Sequence, residues 1–97
     1  MKQRKWYYNY GKSFEIFNTL YEDGKYIVVE NDNDKSISFG LERDFNTLFG
    51  FPVNWSCLTS DEAISILTKF VSIDKEHNIN QNPWESMITA IQTHARN

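Results

Sequence analysis

This 97-residue chain contains a single cysteine, Cys57, so an internal disulfide is excluded. No apolar run approaches the roughly 18 residues that a membrane-crossing helix needs. No signal-type apolar segment follows Met1 either, and with the lone thiol this predicts a soluble protein of a reducing cytoplasm. Glycine is sparse and scattered, at positions 11, 24, 40 and 50, so no phosphate-cradling loop can be assembled from consecutive glycines. The soft metal ligands are Cys57, His77 and His94, and no two of them stand at the i, i+4 or C-x-x-C spacing of a zinc site. Neither a metal nor a cofactor is therefore expected. Cys57 beside Ser56 could in principle pair with a distant histidine as nucleophile and base. A lone cysteine in the alternation Val53, Trp55, Cys57 reads more simply as a small core residue. Asp32 and Asp34 lack the ligand series and the closing Glu of an EF-hand loop. Catalysis has almost nowhere to reside, and no enzymatic function is expected.

Aromatic side chains are abundant. Seven Phe, five Tyr and three Trp supply enough buried area for one core without staples. The length suits a single domain spanning residues 1–97 and leaves no room for a cleft between two domains. The net charge of −3 hides an asymmetry. Residues 1–12 carry Lys2, Arg4, Lys5 and Lys12 and no acid, whereas residues 13–62 carry ten acids against three bases, a balance of −7. An acidic middle disfavours nucleic acid as the partner of that region and favours a basic protein. Acids of this kind also serve simply to keep a small domain in solution.

The stretch Lys25 to Leu41 reads as a β-hairpin. Two runs rich in β-branched and aromatic residues, Lys25 to Glu30 and Lys35 to Phe39, flank the turn-forming tetrapeptide Asn31 to Asp34. Ile37 and Phe39 alternate with Ser36 and Ser38, as in a strand with one buried face, while Tyr26 to Val29 is continuously apolar, as in a central strand. Residues 4 to 10, RKWYYNY, suit a strand beside the hairpin, although aromatics interleaved with bases could also stack nucleobases. From Ser13 to Glu22, Phe14, Ile16, Phe17, Leu20 and Tyr21 fall on one side of a helical wheel, and a short helix is predicted between a Ser13 cap and Gly24. Asp23-Gly24 would instead close a hairpin if 14 to 21 were a strand.

Leu41, Phe45, Leu48 and Phe49 at helical spacing predict a helix stopped by Gly50 and Pro52. Thr59 and Ser60 ahead of Asp61-Glu62 start a helix whose apolar stripe, Ala63, Ile64, Ile66, Leu67, Phe70, Val71 and Ile73, runs to about residue 74. Asn82-Pro83-Trp84-Glu85 starts a last one that runs to about Ala95, with Trp84, Met87, Ile88, Ile91 and Ala95 on its buried side. The expected fold is α+β: a small antiparallel sheet of about three strands with three to four helices packed on one face.

Two stretches, WYYNYG at Trp6 to Gly11 and GLERDFNTLFGFP at Gly40 to Pro52, carry a resemblance in type to a known group. In size, acidity, aromatic content and want of catalytic motifs the chain resembles the small immunity proteins of bacterial polymorphic toxin systems, in particular those of contact-dependent growth inhibition. The resemblance implies a cytoplasmic protein that binds and blocks the toxic domain of a cognate toxin, usually a nuclease, whose phosphate-gripping cleft is basic. Complementary charge would then give fast, selective association. On this reading the partner face comprises Glu30, Asp32 and Asp34 with Glu22 and Asp23, drawn together by the hairpin and the turn before it; Asp61, Glu62 and Trp55 form the second choice. Two other readings remain open at this level. One is a nucleic-acid-associated regulator using the basic aromatic N-terminus, and the other is a mobile-element inhibitor of a host defence protein.

Overall fold

A computed structural model describes residues 5–10, 13–43, 58–79 and 82–95 of the chain. The architecture is α+β. Strands β1 (Lys5–Tyr10), β2 (Ser13–Glu22), β3 (Tyr26–Asn31) and β4 (Ile37–Leu41) form an antiparallel meander in chain order, so each strand pairs with its sequence neighbour. Helices α1 (Ser60–Glu76) and α2 (Trp84–Ala95) pack on one face of it.

The segment 13–22 is a strand, not the predicted helix. Its register explains the misleading periodicity. Thr19 pairs with Val29 and Tyr21 with Val28, so Leu20 is an extra residue in a β-bulge. Before the bulge Phe17 belongs to the face away from the helices; after it, both Leu20 and Tyr21 contact the helix-side core. The resulting intervals of three and four residues imitate a helical stripe. The hairpin alternative at Asp23-Gly24 is the one realised: Gly24 has φ +92, a conformation that costs a residue with a Cβ about 1–2 kcal/mol. The sheet thus has four described strands, one more than expected.

The hairpin from β3 to β4 stands as read. Val28 and Phe39 face each other across it, as do Glu30 and Ile37. β3 is central, and Ile27, Val28 and Val29 have no exposed surface at all, as their continuous apolar run requires. Strand alternation sends Val28 to the helix side, into a core with Leu20, Ile37, Ala63, Leu67, Met87 and Ile91, and sends Ile27 and Val29 to the reverse side with Phe17 against them. The turn is closed by Asn31, whose Oδ1 accepts from the Asn33 amide at 2.8 Å while its carbonyl accepts from the Lys35 amide at 2.9 Å. Lys35 takes the positive φ of 63 that the closure needs.

Helix α1 begins where its cap predicts. The Thr59 hydroxyl accepts from the Glu62 amide at 3.2 Å and Glu62 Oε1 accepts from the Thr59 amide at 2.9 Å, a complete capping box. At α2, Asn82 Oδ1 accepts from the Trp84 amide at 3.3 Å. α1 contacts β4 and α2 contacts β2. Ala63 and Leu67 of α1 and Met87 and Ile91 of α2 are buried, but Ile73, the predicted end of the α1 stripe, is 50% exposed. Among the described residues there are two complete helices, against the three to four expected; of the helix predicted at Leu41 to Phe49, Leu41 belongs to β4 and Glu42 and Arg43 are helical, while residues 44–49, and the link 51–57, lie outside the described residues.

Candidate partner-binding surface

In a meander, successive turns lie at opposite ends of the strands, and this divides the predicted acidic face in two. Glu22 and Asp23 sit at the β2–β3 turn, whereas Asp32 and Asp34 sit at the β3–β4 turn. The six residues of β3 separate the two turns by about 20 Å at a rise of about 3.3 Å per residue. The expectation that one surface gathers all five hairpin acids is therefore corrected. Glu30 is corrected as well. Its side chain points to the helix layer, where Oε2 lies 2.8 Å from Nε2 of His94 in the last turn of α2, and the residue is only 7% exposed.

A different set of acids converges at the β3–β4 end. Leu58 forms an isolated antiparallel bridge with Ile37, each amide donating to the other's carbonyl at 2.7 and 3.0 Å. The chain therefore enters α1 beside the turn, two residues past Leu58, and brings Asp61 and Glu62 to the end already occupied by Asp32 and Asp34. All four are exposed. Each is held by its own local chemistry. The Asp32 amide donates to the Ile16 carbonyl at 2.8 Å, and its Oδ1 accepts from Asn18 Nδ2 at 2.9 Å. Lys35 Nζ approaches the same Oδ1 at 3.8 Å, but both side chains are about half exposed or more, at 65% and 48%, so this pair adds little. Asp34 Oδ1 accepts from the hydroxyl and the amide of Ser36 at 2.7 and 2.9 Å. Those two bonds, the hydroxyl's first, hold the Asp34 carboxyl below the usual carboxylate range against the smaller opposing effect of burial. Asp61 and Glu62 stand in the first turn of α1, where the helix dipole favours negative charge. Trp55 lies outside the described residues.

At the opposite end, Asp23 organises its own turn. Oδ1 accepts from the amides of Lys25 and Tyr26 at 2.8 and 2.7 Å, and Oδ2 accepts from the Tyr21 hydroxyl at 2.7 Å. Burial pushes the Asp23 carboxyl upward, but the Tyr26 amide, the Tyr21 hydroxyl and the Lys25 amide outweigh it and hold the group below the usual carboxylate range. The Tyr21 hydroxyl is pushed up to about 12, by burial first and then by the bond to Asp23 and its charge. Beside this turn, a cleft of about 610 Å³ opens toward the α1–α2 connection. Its walls include Tyr26, Trp84 and Asp74, whose Oδ2 accepts from Trp84 Nε1 at 2.8 Å. Nothing in the sequence pointed to this cleft, because the Asp74–Trp84 contact arises only once α1 and α2 pack together.

Among the described residues, no group of three or more His, Cys, Asp and Glu side chains is placed to hold a metal ion, and no helix is long and apolar enough to cross a membrane. No family model, curated protein or solved structure matches the chain.

Proposed function

We propose that this protein binds and neutralises a cognate bacterial toxin domain, a basic protein of the nuclease kind, by protein–protein contact in the cytoplasm and without catalysis of its own. The observation that carries this reading is the convergence of Asp32, Asp34, Asp61 and Glu62 on one end of the molecule, produced by the Ile37–Leu58 bridge. Asp32, Asp34 and Glu62, whose carboxylates are held by turn and cap bonds, need little further ordering on binding, which favours association with a basic cleft. The resemblance in type to immunity proteins supports the same reading.

The test is to ask whether the neighbouring reading frame encodes a toxin and, with its toxic domain in hand, to measure binding at two salt concentrations. Asp32→Asn with Asp34→Asn, and Asp61→Asn with Glu62→Gln, each remove charge while keeping hydrogen-bonding groups at the turn and the cap. Each well-placed charge pair is expected to contribute on the order of 1.5 kcal/mol or more, and rim charges to slow association instead. The two double variants should be non-additive if both contact one partner patch, whereas Glu22→Gln with Asp23→Asn, at the far end, should add independently. Unchanged affinity and unchanged association rate in both near-end variants would sink the proposal. So would a salt-steep affinity for RNA or DNA that disappears when Lys2, Arg4, Lys5 and Lys12 are neutralised, since that is the behaviour of a nucleic-acid binder.

A further inference from the structure

We propose that the cleft between the β2–β3 turn and the α1–α2 connection is a receptor for an arginine side chain presented by a partner protein. It lies at the end of β3 remote from Asp32, Asp34, Asp61 and Glu62, so it is a second site that does not depend on the toxin-binding reading.

Three features of the cleft select a guanidinium. The first is charge fixed in place. Asp23 has both oxygens committed to donors from Lys25, Tyr26 and Tyr21, which makes it a stationary negative charge at the rim rather than a flexible ligand. The second is an oriented acceptor. Asp74 uses Oδ2 to accept from Trp84 Nε1 at 2.8 Å, and among the described residues Oδ1 has no hydrogen-bond partner. A carboxylate pinned by one oxygen offers the other in a defined direction. The third is an aromatic wall. Tyr26 and Trp84 pack edge to face with ring centroids 5.0 Å apart, and Phe70 braces Trp84 from behind at 5.1 Å.

One cation already samples this wall: Lys25 Nζ lies 5.3 Å from the centroid of the Tyr26 ring. Lys25 is exposed, and its ammonium occupies the kind of position that an incoming cation would take. A guanidinium outcompetes such an ammonium because it is planar, weakly hydrated and able to stack on a ring while forking to a carboxylate. The volume, about 610 Å³, is within the range of sites that hold a ligand larger than one guanidinium group, which suits an arginine with its flanking backbone. Ile79, 47% exposed on the cleft's lip, offers apolar surface to the methylene stem.

The experiment uses the whole chain and N-acetyl-arginine amide as the probe, followed through the indole N–H resonance of Trp84 by NMR. Saturable movement of that resonance in the millimolar range is expected, with none from the neutral isostere N-acetyl-citrulline amide and none from sodium chloride at equal ionic strength. Asp74→Asn keeps an acceptor for the indole but removes the charge, and should weaken binding about tenfold or more. Lys25→Met removes the resident competitor and should tighten binding several-fold. Absence of saturable movement in the unmodified chain, equal response to the citrulline compound, or a Lys25→Met variant that binds no better would each overturn the proposal. None of these readouts involves a toxin, so failure here leaves the toxin-binding reading standing, and the converse also holds.

Discussion

Removing His94 should destabilise the protein out of proportion to the exposure of that residue. The imidazole Nε2 lies 2.8 Å from Glu30 Oε2 and joins the last turn of α2 to the central strand across 64 residues of sequence. The His94 side chain is 34% exposed, but the Glu30 side chain is only 9% exposed. His94→Ala therefore strands a carboxylate that water barely reaches. The cost is that of an unsatisfied buried acceptor, about 1–3 kcal/mol. It stays below the 3–5 kcal/mol typical of a fully buried broken pair because His94 itself is partly solvated. Glu30→Gln preserves size and an acceptor oxygen, and should cost less than about 1 kcal/mol. Glu30→Leu with His94→Leu removes both polar partners and should recover much of the loss. Urea unfolding at neutral pH measures all three, and in a domain of this size each kcal/mol also moves the melting temperature by about 4–8 °C. A cost below about 0.5 kcal/mol for His94→Ala, which is the range of an ordinary surface substitution, would refute the argument that the contact holds α2 to the sheet.

The remaining predictions concern the core and the far turn. Leu67, with no exposed surface at the centre of the helix-side core, should lose about 2–5 kcal/mol on replacement by Ala. Phe70, half-buried between Phe39 and Trp84, should lose about 2–3 kcal/mol, below the 3–5 kcal/mol of a fully buried Phe; losses under about 1 kcal/mol by urea unfolding would contradict this packing. Ultraviolet titration, assigned by comparison with Tyr21→Phe, should show Tyr21 ionising near pH 12, and Asp23→Asn should bring it part of the way down toward the ordinary value of 10.0, the effect of burial remaining. The signs follow from linkage. Tyr21 holds its proton more tightly when folded, so stability falls as pH rises from about 10 to about 12. Asp23 holds its proton less tightly when folded, so its contribution is present above the ordinary carboxylate value and is lost as pH falls through the lowered one. A Tyr21 phenolate forming near pH 10 would contradict the hydrogen bond to Asp23.

Where the fold was legible in the sequence, a local rule and the tertiary environment agreed. Thr59 and Glu62 form in three dimensions the capping box that their spacing advertises, and Asn82-Pro83 opens α2 as a cap and a first-turn proline should. The apolar run Tyr26 to Val29 declared a strand covered on both faces, and Ile27, Val28 and Val29 are so covered. Legibility failed at Ser13–Glu22 because a bulge at Leu20 resets the period-2 alternation partway along the strand. The three- and four-residue intervals from Phe17 to Leu20 and Tyr21 then matched a helix better than a regular strand. The competing signal was present in Asp23-Gly24, since a β-turn there is of use only if the residues before it are extended.

The strand at 13–22 also decides where the acids lie. A helix over 13–22 leaves Glu22 and Asp23 free to fold back beside Asp32 and Asp34; a strand there cannot, because two hairpins that share β3 must turn at its opposite ends. The same constraint recruits Asp61 and Glu62. Once β4 pairs with β3, the Ile37–Leu58 bridge fixes the start of α1 at the β3–β4 end, so Asp61 and Glu62 lie at the same end of the sheet as Asp32 and Asp34. Glu30 failed for a different reason. Position in a strand decides the face but not its cover, and the cover is His94, whose approach depends on α2 running back along β2. Sequence proximity among acids is thus a poor guide to a binding surface in a meander. Consecutive turns disperse them to opposite ends, and here the chain returning through the Ile37–Leu58 bridge brings further acids, Asp61 and Glu62, to one of those ends.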